Sequence, residues 1–175
     1  VIVPMYYEEK VAEECYKRLT ACLQKLTDYT YEIIIIDDGS KDKTLEILEN
    51  IASKDDKVKV ISFSRNFGHQ AAVTAGLKHV SGDAIIVIDA DLQDPPELIP
   101  QMIQLWEQGN EIIYAKRKKR KGESPFKLLS AKLFYQILNA LSDTEIPKDT
   151  GDFRLVDRKV VDTINNMPEH NKFLR

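Results

Sequence analysis

Ala84-Ile85-Ile86-Val87-Ile88-Asp89-Ala90-Asp91-Leu92-Gln93-Asp94-Pro95-Pro96, residues 84–96, run from unbroken apolar sequence into a cluster of acids and then into two prolines. A short apolar stretch rich in Ile and Val suits a strand buried on both faces of a parallel sheet. Asp94-Pro95-Pro96 ahead of Glu97 reads as a helix start, since proline in the first turn lacks only an N–H that would find no partner. Gly109 then marks the end of that helix. The stretch is therefore one strand-to-helix passage, with two carboxylates at the point where the chain leaves the sheet.

The same grammar repeats on either side. Apolar runs at residues 1–3, 31–36, 58–63 and 111–114 are spaced by segments of helical periodicity. Val11, Cys15, Leu19, Cys22 and Leu26 form one stripe, and Leu45, Leu48, Ile51 and Ala52 form another. Strands alternating with helices predict right-handed crossovers and an α/β fold. The expected architecture is a Rossmann-like, open, mostly parallel sheet with helices on both faces.

Composition sets the outer bounds. A chain of 175 residues with 43% hydrophobic and 30% charged residues is expected to form a single domain. A net charge of -3 argues against a general nucleic-acid binder. Cys15 and Cys22 fall on one helical stripe, about 10 Å apart along the axis and beyond disulfide reach, so a reducing compartment is expected. No run approaches the roughly 18 apolar residues that a membrane span requires, and no signal peptide is visible. The chain opens inside an apolar run and stops at Arg175 without a terminating feature, as expected of part of a longer protein that could carry a span beyond it.

In open α/β sheets ligands bind outside the carboxyl ends of the strands. The residues following the successive runs are Pro4, Tyr6, Glu8 and Glu9; Asp37, Asp38, Gly39 and Ser40; Ser64, Arg65, Asn66 and Gly68; Asp89, Ala90, Asp91 and Gln93; and Lys116 and Arg117. Acids and amides thus collect on one edge, with bases beside them. Asp89 and Asp91 can both turn toward one point, where their mutual repulsion calls for a cation. Hard oxygen ligands suit Mg²⁺ or Mn²⁺, the former often held by one or two carboxylates and substrate phosphates. Asp37-Asp38-Gly39-Ser40 reads either as a capped strand-to-helix turn or as a carboxylate that accepts a hydrogen bond from a nucleobase.

Past residue 114 the pattern changes. Six consecutive basic residues, 116–121, lead to an apolar helix expected over about 126–141, and a polar loop is expected over 142–152. The basic run is either a solvated loop or a contact to anionic headgroups, worth ~1 kcal/mol per residue near a membrane. The stripe Phe126, Leu129, Leu133, Phe134, Ile137 and Leu141 is either core or membrane-facing. His69, His79 and His170 have no metal-ligand partners at useful spacing and are expected to be structural or on the surface.

Three motifs in order carry a resemblance: Ile2-Val3-Pro4-Met5-Tyr6-Tyr7-Glu8-Glu9, Ile36-Asp37-Asp38-Gly39-Ser40, and residues 89–96. Together they resemble the inverting family 2 glycosyltransferases of GT-A fold. Ser64-Arg65-Asn66-Phe67-Gly68-His69-Gln70 and Asp149-Thr150-Gly151-Asp152-Phe153-Arg154-Leu155 make the chain most similar to the group acting on polyprenyl phosphates. One position departs from the pattern: Tyr7 stands where the family usually has asparagine.

The resemblance implies a nucleoside pocket at Pro4, Tyr6 and Glu8, contacts to the base from Ile36 and Asp38, and a nucleotide and metal site at Asp89, Ala90, Asp91 and Gln93. Arg117 would lie near the donor phosphates. It further implies transfer of a hexose from a UDP- or GDP-linked donor by one inverting displacement assisted by Mg²⁺ or Mn²⁺ at Asp89, Asp91 and Gln93, with Asp91 and Asp152 as the catalytic residues. The acceptor would be a polyprenyl phosphate, reached at the cytoplasmic face of a membrane; Asp152 would act there as base or positioning group. The alternatives are a saccharide hydroxyl acceptor, a nucleotidyltransferase and a receiver-like signalling domain. A glycine-rich, lysine-containing triphosphate loop is absent, which disfavours the nucleotidyltransferase. A homo-oligomer is left open.

Overall fold

A computed structural model of the chain describes residues 1–116 and 150–169. The chain divides into two compact units, Val1–Ile113 with Asp152–Arg175, and Tyr114–Gly151. The first unit carries every residue of the candidate site described below. Arg117, the rest of the basic run, the expected helix at 126–141, residues 142–149 of the expected polar loop and His170 lie outside the described residues.

Six strands, β1 (Ile2–Met5), β2 (Ile33–Asp37), β3 (Val58–Ser62), β4 (Ala84–Val87), β5 (Ile112–Lys116) and β6 (Thr150–Asp157), form one sheet in the order β3-β2-β1-β4-β6-β5. β1 pairs in parallel with β2 and β4, and β2 with β3, whereas β6 runs antiparallel to β4. The helices are α1 (Ala12–Leu23), α2 (Thr44–Ala52), α3 (His69–His79), α4 (Ile99–Glu107) and α5 (Arg158–Asn166).

Burial follows from the strand sequences. Ile2, Ile34, Ile36, Ile85 and Val87 share one cluster with Ala72, Val73 and Leu77 of α3 and Val161 of α5. Alternate residues of the same strands, Val3, Ile33 and Ile35, are equally buried, so the sheet is covered on its other face too. That is why these strands lack a polar alternation. The expected stripe of α1 is realised by Cys15, Leu19 and Cys22, and both cysteines are free and buried. A 3-10 turn, Pro96–Leu98, precedes α4, and Gly109, at φ 93°, closes that helix.

Two features were not expected. The first is α3, whose small residues give a weak periodic signal. Its closeness to the sheet explains the composition: a Cβ on Gly76 would lie 2.5 Å from Cγ2 of Ile2. The second corrects the polar loop expected up to residue 152, since Thr150, Gly151 and Asp152 already belong to β6. Asp152 and Arg154 are polar yet buried at 4% and 7% exposure, so the segment carries polar groups inward and does not present the apolar pattern of a strand.

Candidate active site

β1, β2 and β4 point the same way, so their carboxyl ends share one edge, as parallel pairing requires. The chain leaves that edge three times near one point. After β1, the N–H groups of Tyr7 and Glu8 donate to Ser40 Oγ (3.0 Å) and Thr44 Oγ1 (2.9 Å). The first turn is thereby tied to the one following β2. Tyr7 has the left-handed φ of 57°. After β4, Leu92 has φ 60°, and Asp91 Oδ1 accepts from the N–H of Gln93 at 3.0 Å. Both are strained for residues with a side chain, and both flank the acids of the site.

After β2, the two adjacent aspartates do different work. Asp37 is wholly buried; its Oδ1 accepts from the Ser40 N–H and its Oδ2 from the Ser62 hydroxyl. Asp38, 3% exposed, accepts the N–H of Phe67 at 2.7 Å and the N–H of Gly68 at 2.9 Å, one on each oxygen. Asp38 therefore clamps the loop that leads into α3. Gly39 allows that loop to approach, since at its φ of 73° a Cβ would lie 2.4–2.8 Å from the backbone of Arg65.

The clamp sets the start of α3, and with it His69. Its Nε2 lies 3.3 Å from Asp152 Oδ2 and 3.9 Å from Asp89 Oδ1. The three side chains offer ligand atoms all within 4.8 Å of one another. Strand register explains how Asp152 arrives there: Val87 pairs with Arg154 across β4 and β6, and two residues further the same register sets Asp89 level with Asp152. His69 thus departs from the sequence expectation of a structural or surface histidine without metal-ligand partners. Sequence spacing hid it because its neighbours come from β4 and β6, whereas His79 is exposed as expected.

These groups line a cleft of about 340 Å³ bounded by Pro4, Tyr6, Glu8, Asp38, Asn66, His69, Asp89, Ala90, Asp91 and Asp152, with Met5 and Ala72 beneath. Of the residues singled out in the sequence, Pro4, Tyr6, Glu8, Asp38, Asp89, Ala90, Asp91 and Asp152 come together here. Ile36 does not line the cleft; its side chain lies in the core cluster with α3. Gln93 is exposed and also outside the cleft lining.

The cleft is strongly anionic. Burial pushes the Asp89 carboxyl above the ordinary carboxylate range; His69 pulls it back, and Asp152, Asp91 and Asp94 push it further up. Glu8 is raised by burial and then by Asp91, Asp42 and Asp89. Carboxylates raised by one another in a cleft are stabilised by a cation among them, and oxygen and imidazole donors at this separation suit a divalent one.

Comparison with known proteins fits this arrangement. The family model described as Glycosyl transferase family 2 matches residues 1–164. The chain is 52% identical over 175 residues to uncharacterized glycosyltransferase YkcC of Bacillus subtilis (strain 168), covering 100% of this chain and 54% of that protein. It is 43% identical over 175 residues to the bactoprenol glucosyl transferase of Shigella phage SfV, covering 100% of this chain and 57% of that one. The chain thus spans little more than half the length of these relatives.

Two solved structures share the fold. Mannosyltransferase PcManGT from Pyrobaculum calidifontis in complex with GDP-Man and Mn²⁺ aligns with a TM-score of 0.63 at 20% identity, over 95% of this chain and 46% of that one. Glucosyl-3-phosphoglycerate synthase from Mycobacterium tuberculosis in complex with Mn²⁺, UDP-Glc and phosphoglyceric acid aligns at 0.61 with 25% identity, over 91% and 56%. The mostly parallel six-stranded sheet is accordingly the GT-A fold.

Proposed function

Because the chain belongs to glycosyl transferase family 2, we propose that it transfers a hexose from a UDP- or GDP-linked donor to a polyprenyl phosphate, inverting the anomeric carbon. The observation that carries this reading is the convergence of Asp89, Asp91 and Asp152 on one cleft that Pro4, Tyr6 and Glu8 line from the first turn. That cleft lies where α/β sheets take nucleotides.

Each wall has a task. Pro4, Tyr6 and Glu8 face the nucleoside, and Tyr6 offers an exposed ring stacked edge-on with Tyr7. Asp38 holds the loop opposite through its bonds to Phe67 and Gly68. Asp89 and Asp91 would hold Mn²⁺ or Mg²⁺. Such a cation, when bound, supplies positive charge to the leaving diphosphate, the kind of electrostatic help that often dominates transfer chemistry. Gln93 and Arg117 remain candidates for the same end of the donor.

Asp152, 4% exposed, lines the same cleft beside His69, and we assign it to the acceptor. A lipid phosphate is largely dianionic at neutral pH, since its second pKa is about 6. It needs no base to attack, so Asp152 would position it indirectly, through its cationic neighbour Arg154 3.9 Å away, since two anions do not hold each other. A saccharide hydroxyl would instead require Asp152 to take its proton. The relatives named bactoprenol glucosyl transferase favour the lipid phosphate. The work would then take place at the cytoplasmic face of a membrane. Among the described residues no helix is long and apolar enough to cross one.

The test pairs radiolabelled UDP-glucose, UDP-N-acetylglucosamine and GDP-mannose in turn with undecaprenyl phosphate in vesicles, with Mn²⁺ or Mg²⁺ present. One donor should yield a lipid-linked sugar, and Asp91→Asn should cut turnover by about 10²-fold or more, the scale of losing a transition-state charge partner. Its melting temperature should stay within a few degrees of the unsubstituted chain. Full turnover in Asp91→Asn, or product only with a saccharide acceptor, would overturn this assignment.

A further inference from the structure

The cleft contains one nitrogen donor among its acids that neither the mechanism above nor the paired-aspartate motif uses. We infer that Nε2 of His69 is a direct ligand of the divalent cation, and that it makes the site prefer Mn²⁺ over Mg²⁺. This rests on the reading of the cleft as a cation-dependent donor site and adds to it the identity of the metal.

Geometry comes first. Two ligands bound to one ion at about 2.1 Å each can lie no more than about 4.2 Å apart. His69 Nε2 and Asp89 Oδ1 are 3.9 Å apart, within that span, before any adjustment to a bound ion. Asp152 Oδ2 lies 3.3 Å from the same nitrogen, and all three ligand atoms lie within 4.8 Å of one another, so it is the two pairs that include His69 that meet the span as they stand. The imidazole is also fixed from behind. His69 is the first residue of α3, and Gly68 before it is held by the carboxylate of Asp38. A ligand preset in this way loses little freedom on binding.

Ligand chemistry then sets the choice of metal. Carboxylate and water suit Mg²⁺ and Mn²⁺ alike; imidazole is taken up best by the later first-row metals, and Mn²⁺, the first of that series, still accepts it more readily than Mg²⁺. Mg²⁺ also parts reluctantly with its waters. Replacing one oxygen by a nitrogen therefore raises affinity for Mn²⁺ more than for Mg²⁺. Asn in place of His69 returns an oxygen to the set and should erase the difference.

The decisive measurement is pulsed electron paramagnetic resonance of Mn²⁺ bound to the chain with UDP or GDP present. Echo modulation from a directly coordinated ¹⁴N is expected, and it should vanish in His69→Asn. Competition titrations should show Mn²⁺ binding at least about tenfold more weakly in that variant, the scale seen for disturbed metal shells. Mg²⁺ binding should change less than about threefold. His69→Gln serves as a second variant, with thermal melting to establish that each is folded.

Mn²⁺ bound without nitrogen modulation, or equal losses for both metals, would overturn the inference and leave the cation-dependent reading standing. His69 would then serve only to position Asp152, and its loss would lower turnover without altering the Mn²⁺ spectrum. No Mn²⁺ binding with either nucleotide would bring down the metal reading itself.

Discussion

Asp38→Asn tests whether this carboxylate clamps the β3–α3 loop or only waits for a nucleobase. Asp38 is 3% exposed and accepts from Phe67 N–H at 2.7 Å and Gly68 N–H at 2.9 Å, one on each oxygen. Asparagine keeps one acceptor and turns an NH₂ toward the other donor. A hydrogen bond to a charged acceptor contributes about 1.5–3 kcal/mol, and an abandoned donor costs about 1–3 kcal/mol when fully buried. Phe67 is 52% exposed, so water can reach the released N–H groups in part and the low end applies. The expected loss is about 2 kcal/mol, or roughly 4–8 °C in melting temperature for a chain of this size.

Because the loop ends at His69, the same variant should also weaken Mn²⁺ binding, although Asp38 touches no metal. Urea melts and Mn²⁺ titration read the two effects separately. A variant with stability within 0.5 kcal/mol of the original, roughly the scatter of neutral surface changes, would refute the clamp. Weaker nucleotide binding alone would then assign Asp38 wholly to the base.

Two further outcomes follow from charge. Burial pushes Glu32 up, but its bonds with Lys59 and with the hydroxyl and N–H of Ser81 outweigh it and hold the carboxyl at about 2. Its contribution is complete above the unfolded value of about 4.3 and is lost as pH falls toward 2. Glu32→Gln should therefore lose about 1–2 kcal/mol at pH 7, with the gap to the original chain narrowing below about pH 4 and closing only as pH falls to about 2 and lower, as urea melts at several pH values would show. A gap independent of pH would refute it. Asp89 has the opposite sign. Its raised carboxyl costs stability above its folded value and nothing below the ordinary range near ~3.9. Asp89→Asn should thus stabilise the cation-free chain at pH 8, less so as pH falls to 4.5, and should lose that advantage when Mn²⁺ is added; a destabilised cation-free variant at pH 8 would contradict the repulsion inferred in the cleft.

Much of the fold was legible because its strands carry their burial in their composition. Ile33 to Ile36 and Ile85 to Val87 are apolar on both faces, and that alone calls for covering layers on each side. α1, α2 and α4 announced themselves by stripes or by proline and glycine punctuation. α3 did not. A helix that lies so close to the sheet that Gly76 sits against Ile2 must be built of small residues, and small residues blur the apolar stripe. The feature that makes it pack is the feature that hides it.

The site divided along the same physical line. Pro4, Tyr6, Glu8, Asp38, Asp89 and Asp91 were legible because parallel strands deliver consecutive carboxyl ends to one edge, so each need only follow its own apolar run. Asp152 arrives differently. It comes in on β6, antiparallel to β4, and so stands near the amino end of its strand, where no rule about carboxyl ends would look. Asp152 and Arg154 alternate with Phe153 and Leu155, but behind a polar stretch that reads as loop, and a family motif, not periodicity, singled Asp152 out. His69 was hidden twice, first by α3 and then by depending on Asp152 for its partner. A cleft assembled from parallel strands alone would collect oxygen donors from its turns; the antiparallel return supplies Asp152, and the crossover helix supplies the nitrogen. The part of the site least visible in the sequence is therefore the part that can choose between metals, which makes His69, rather than Asp91, the substitution that separates a generic acidic cleft from this one.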